Sequence, residues 1–127
     1  MSRLAILLGA GNAVLAILLG AFAAHALKET LNERMISVFN TAVDYHLYHA
    51  LGLIVVGIII NQHPPNKALR LSVYLMLIGL IVFCGSLYAL SLTGITKFGM
   101  ITPLGGISFI AAWISVFVSL AGKNSKQ

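Results

Sequence analysis

Four apolar stretches, at about residues 4–24, 36–61, 71–92 and 101–121, fill most of this 127-residue chain. Each is close to the roughly 20 residues with which a helix crosses ~30 Å of hydrocarbon. Without water, every backbone amide and carbonyl must bond internally, which leaves helices or closed barrels as the spanning elements. These runs lack the period-two alternation that barrel strands need. A hydrophobic fraction of 59% and a mean hydropathy of +0.97 make lipid the solvent of most of the surface. The expected fold is an all-α membrane protein. Its single domain, residues 1–127, is four transmembrane helices in an antiparallel bundle.

Charge bears on orientation more than on partners. The net charge of +5 is scattered rather than gathered into a patch, so nucleic acid is not an expected partner. Arg3, Lys67, Arg70, Lys123 and Lys126 lie at the termini and in the second loop, against Lys28, Arg34 and Lys97 in the first and third loops. Short cytoplasmic segments collect Lys and Arg, so both termini are expected in the cytoplasm. Cys84, the only cysteine, sits within the third span and has no partner for a disulfide.

The first span has the outline of a secretion signal, with Arg3, an apolar run, then Ala21-Phe22-Ala23 and Ala24-His25-Ala26. The run exceeds the about 7–15 residues of a signal core. It also carries small residues at helix-packing spacing: Ala5, Gly9 and Ala13, then Ala16, Gly20 and Ala24. It reads as a retained span. Gly9-Ala10-Gly11 mimics a dinucleotide loop, but Val14 stands where a third glycine belongs and no strand precedes it.

Residues 25–46 are neither lipid-like nor a short turn. Thr30 and Glu33 have the spacing of a capping box, so a helix is expected from near Leu31 into the second span. Arg34, Ser37, Thr41 and Asp44 share one face, and Met35, Val38, Phe39 and Ala42 another. That is an amphipathic extension before the second helix, at the membrane surface or continuing outward. Pro64-Pro65 ends the second helix and forces a hairpin into the third. Thr93-Gly94 to Gly99 forms the third loop, and Pro103 opens the fourth helix.

Alternating topology then gathers most polar residues of the spans in one leaflet. His25, Asp44, His46, His49, Ser86, Tyr88 and Thr102 all fall toward that end, whereas the other half holds little but Asn12, Ser115 and Ser119. His46 and His49 are three residues apart and share a face. At His49's depth an imidazole must be neutral and paired, with Ser86, Tyr88 and Thr102 as candidate partners. Asp44 is nearer the surface and faces water, Lys28 or Arg34. A metal site from His25, His46 and His49 lacks an H-E-x-x-H string or a cysteine pair, so packing histidines are the default and no metal or cofactor is expected. Haem, proton passage and hydrolysis each lack their required residue set.

Several strings together resemble a known family. They are Gly20-Ala21-Phe22-Ala23-Ala24-His25, Phe39-Asn40-Thr41-Ala42-Val43-Asp44-Tyr45-His46, Cys84-Gly85-Ser86-Leu87-Tyr88 and Ile101-Thr102-Pro103-Leu104-Gly105-Gly106. The chain resembles the YwdK/YgdD-like family of small bacterial membrane proteins, a domain of unknown function. The resemblance implies a four-helix protein of the bacterial inner membrane with a retained first helix, and supplies no reaction or substrate. Against the family pattern, Ala23 replaces a second glycine and His46 stands where many relatives carry glutamine.

The expected activity is non-catalytic binding of a partner helix, lipid or small ligand at the one-leaflet polar cluster. A homo-oligomer or a partner membrane protein is an additional possibility. The rival reading is a small oligomeric transporter or channel subunit.

Overall fold

The computed structural model describes residues 1–122; Lys123 and Lys126, counted above toward orientation, lie outside the described residues. Helix α1 spans Ser2–His25 and α2 spans Glu33–Gln62. A third rod is built from α3 (Lys67–Gly79), a π-helical turn (Leu80–Cys84) and α4 (Gly85–Thr93). The last helix is α5, Thr102–Ala121. Four rods are thus long and apolar enough to cross a membrane, as the sequence requires.

Local chemistry explains the ends. The α2 cap is Asn32, whose Oδ1 accepts from the Met35 amide at 2.9 Å. The expected Thr30–Glu33 box does not form. Residues Leu27–Glu29 make a 3-10 turn, and the Thr30 hydroxyl donates back to the Leu27 carbonyl. An amide side chain adjacent to the first helical residue reached the orphan donors first. Asn66 caps α3 in the same way, accepting from the Ala68 amide at 2.8 Å. Gly94, at φ 70°, ends α4 in the left-handed region that glycine enters without penalty.

Helix α2 has 30 residues, about 45 Å at 1.5 Å per residue, and so outruns a ~30 Å core. Its first turns are the amphipathic extension, continuous with the span. Phe39 and Ala42 are buried, whereas Arg34, Ser37 and Asp44 are exposed. Phe39 packs with Ala23 and Leu27 into a small apolar cluster that joins the top of α1 to α2.

Small residues set how closely the rods approach. A Cβ on Gly9 would lie 2.6 Å from the Ala50 carbonyl oxygen, and one on Gly57 would lie 2.9 Å from the Ser2 carbonyl oxygen. Backbone therefore meets backbone along the α1–α2 seam, where dispersion replaces the hydrophobic effect that lipid removes. The buried small residues of α1 are Ala5, Gly9, Ala16 and Ala23. Ala24, expected in this stripe, is exposed, because the seam drifts around α1 at about 3.5 rather than four residues per turn.

On the other side, α5 lies against the third rod. The ring of Phe109 covers Gly79, and Gly105 abuts the backbone of Phe83 in the π turn. Ser108 Oγ donates to the Leu75 carbonyl at 2.7 Å, and Asn66 Nδ2 donates to Ser119 Oγ at 2.7 Å. The core between α2, the third rod and α5 contains Leu53, Val56, Met76, Cys84, Phe109 and Ala112. Arg3, Lys67 and Arg70 end up at one end of the bundle, because Met1 and Ser2 share a depression with His63, Asn66 and Arg70.

Adjacent glycines give a direct check of this seam. Gly105→Ala pushes a methyl into the Phe83 backbone and should cost about 1–3 kcal/mol of stability. Gly106→Ala, whose Cβ would meet Phe83 at an ordinary 3.8 Å, should be nearly neutral. Thermal unfolding in detergent compares the pair, and equal losses would refute this packing.

Candidate functional site

The residues expected to form one polar cluster fall instead into separate hydrogen-bonded joints, with His25 and Asp44 outside them. His46 is 5% exposed and turned toward α1 and α4. Its Nδ1 lies 3.0 Å from the Tyr88 hydroxyl and its Nε2 lies 3.0 Å from Asn12 Oδ1. Asn12 Nδ2 donates to the Leu8 carbonyl at 2.8 Å, which fixes the amide so that Oδ1 is the acceptor facing His46. Nε2 therefore carries the proton and Nδ1 accepts from Tyr88, giving a neutral ring with both nitrogens satisfied. Tyr88 in turn rests on Phe39, with centroids 4.9 Å apart.

His49 does not reach Ser86, Tyr88 or Thr102, the partners expected from the sequence. Its Nδ1 donates to the Tyr45 carbonyl at 2.7 Å, and its Nε2 accepts from Trp113 Nε1 at 3.1 Å. It stacks on Phe109 with centroids 3.5 Å and planes 12° apart. Three residues of helix rotate a side chain by about 60° from perfect alignment, enough for two histidines on one face to address different neighbours. The two rings are held as opposite tautomers.

Ser86 and Thr102 are brought together, at 2.6 Å between hydroxyls. Each hydroxyl also has a backbone carbonyl within reach, Phe83 at 2.9 Å from Ser86 and Phe98 at 3.5 Å from Thr102, so one hydroxyl donates to the other while the second donates to its carbonyl. His25 and Asp44 stand apart from these joints, and both are exposed. Gly20 faces Val43 across the α1–α2 seam. His25 therefore lies roughly two turns above the level of His46. Among the described residues no three His, Cys, Asp or Glu side chains are grouped to hold a metal.

An opening remains beside His49. A groove of about 660 Å³ runs between α2 and α5, with Tyr45, His49, Phe83, Phe109 and Trp113 forming its inner wall. Gly106 supplies the gap at its upper end, and Ile110, Ile114 and Phe117 form the outer rim. Phe117 is 72% exposed, so the groove opens sideways, toward lipid. The π turn contributes directly, since Phe83 sits 4.7 Å from Tyr45 and 5.5 Å from Phe109, centroid to centroid. Such turns recur where a helix must aim a side chain at a site.

Sequence reasoning missed Asn12, Phe83, Phe109 and Trp113. Two signals were available. Tryptophan concentrates at membrane interfaces, so Trp113 in mid-span needs an acceptor for its N–H, and a mid-span histidine is the obvious one. An amide at mid-span, Asn12, likewise calls for a partner at its own depth.

These four rods, with polar groups paired inside them and apolar side chains outside, define a multi-pass α-helical membrane protein. Residues 19–106 match the family described as "Protein of unknown function (DUF423)", and the chain belongs to it. It is 46% identical over 114 residues to the UPF0382 membrane protein YwdK of Bacillus subtilis, covering 90% of this chain and 93% of that one. A UPF0382 membrane protein of Staphylococcus haemolyticus is 41% identical over 92% of this chain and 94% of its own. One from Staphylococcus saprophyticus is 42% identical over 89% and 92%. No solved structure matches the chain.

The Asn12–His46 joint is open to measurement. A double-mutant cycle with Asn12→Ala and His46→Ala should return a coupling of about 0.5–1.5 kcal/mol. The same cycle between Asn12 and His49 should return none, because the two share no bond.

Proposed function

We infer that the protein is a non-catalytic membrane protein that seats an acyl chain of a neighbouring lipid in the groove between α2 and α5. The observation that carries this reading is the sideways-opening aromatic groove, where the ring nitrogens of His49 and Trp113 are already used in hydrogen bonds within the protein. From Gly106 to Phe117 the groove follows α5 for about 16 Å at 1.5 Å per residue. Half of a ~30 Å hydrocarbon core is almost the same length, so one leaflet's chain fits from end to end. His49 acts here by holding Trp113 upright against the chain rather than by touching a polar ligand. Tyr45, paired with Tyr48 at 5.9 Å, stands where the chain's polar end would emerge.

A phospholipid carrying a photoreactive diazirine on one acyl chain tests this. Adducts should concentrate on Phe109, Trp113 and Phe117. Gly106→Phe, which fills the groove from an unobstructed position, should remove them while sparing background adducts on α1 at Leu7 and Leu18. Uniform labelling of all lipid-exposed residues would sink the reading. Crosslinks from this face to a protein instead would point to a partner helix, and selective solute flux lost on His49→Ala would favour a transporter.

The charge bias of Arg3, Lys67, Arg70, Lys123 and Lys126 over Lys28, Arg34 and Lys97 in the sequence supports cytoplasmic termini. In a Cys84→Ser background, cysteines placed at Lys28 and Lys97 should both react with an impermeant thiol reagent added outside intact cells. One placed at Lys67 should react only after the cells are opened.

A further inference from the structure

A second depression shares no residue with the aromatic groove. It occupies about 760 Å³ between the end of α1 and the first turns of α2. Its floor is apolar, at Ala23 and Ala24, and its walls carry Lys28, Glu33 and Asp44. All three charged side chains are exposed, and among the described residues none is tied to another in an ion pair.

Depth argues for what fills it. Asp44 lies 18 residues before Gln62, the opposite end of α2, or about 27 Å along the helix. That puts the carboxylate at the far edge of a ~30 Å core, the level of lipid headgroups. A free aqueous solute has no use for the apolar floor, whereas a lipid presents its glycerol and first methylenes there. Both signs of charge in one depression suit a zwitterion better than an anion.

We propose that this depression is a headgroup site for a zwitterionic lipid with a primary ammonium, of the phosphatidylethanolamine type. The ammonium donates to the Asp44 carboxylate, and the phosphodiester accepts from Lys28. Thr41 already donates its hydroxyl proton to the Ser37 carbonyl at 3.0 Å, so its oxygen is left as a further acceptor for the ammonium. A trimethylammonium group has no N–H to donate and satisfies none of these acceptors. The site discriminates by hydrogen bonding rather than by net charge.

Native mass spectrometry of the full chain, loaded from mixtures of phosphatidylethanolamine, phosphatidylcholine and phosphatidylglycerol with identical acyl chains, tests the proposal. Ethanolamine lipid should be retained over choline lipid by about tenfold, the factor of one charge-assisted hydrogen bond. Asp44→Ala, which removes the acceptor, should bring that ratio close to one, while Lys28→Gln should weaken both lipids and leave their ratio unchanged. The Gly106→Phe variant should keep the full ratio, since it closes only the aromatic groove. Equal retention of ethanolamine and choline lipids by the unaltered protein would overturn the proposal. So would preferential retention of the glycerol lipid, an ethanolamine preference that survives Asp44→Ala in full, or one lost with Gly106→Phe. Thermal midpoints matching the unaltered protein within error identify the variants that remain folded.

Discussion

Hydrocarbon offers no water, and the arrangement of this bundle follows from that. A polar atom inside it is costly until another polar atom reaches it, so polar side chains become the joints between helices. Among the described residues no buried side-chain nitrogen or oxygen lacks a partner. Asn12, His46 and Tyr88 tie α1, α2 and α4, while His49 and Trp113 tie α2 to α5. Ser86 and Thr102 join α4 to the start of α5, and Asn66 and Ser119 join its end to the second loop. Groups that look like a binding site in one dimension are thereby consumed in holding rods together. What is left for a ligand is the surface those rods enclose between them.

Glycines decide where that surface lies. Gly9 and Gly57 let α1 and α2 touch along their backbones, Gly105 does the same for α5 and the third rod, and Gly79 makes room there for the Phe109 ring. Such contacts fix the rotation of each helix, and rotation decides which side chains face inward. Between α2 and α5 no glycine pair closes the gap. Rings fill part of it instead, leaving the channel beside His49 and Trp113. Tight seams on two sides thus leave a loose one on the third.

The spans themselves were legible because length and hydropathy are set by bilayer thickness, which is common to all membranes. The shared depth of His46, His49, Ser86, Tyr88 and Thr102 was legible for the same reason: alternating topology orders residues along the membrane normal. Rotation about each helix axis was not legible. Helical spacing put the histidines on one face, yet only the packed neighbours sent His46 to Asn12 and His49 to Trp113. Thr30 and Glu33 failed as a cap because Asn32, one residue from the helix, competed for the same donors. Asn12 was set aside as an isolated amide in an aliphatic half, although its side chain reaches one turn along the seam to His46.

The turn at Leu80–Cys84 separates two jobs within one rod. Below it, Leu75 and Gly79 answer to Ser108 and Phe109 of α5; above it, Tyr88 answers to His46 of α2. An uninterrupted α-helix through these positions would hold one residue fewer in the same rise, turning its upper half by about 100° against its lower half. The wider loop acts as a phase adjuster. It lets a single rod keep two appointments, with different neighbours, that no uniform helical pitch could honour together.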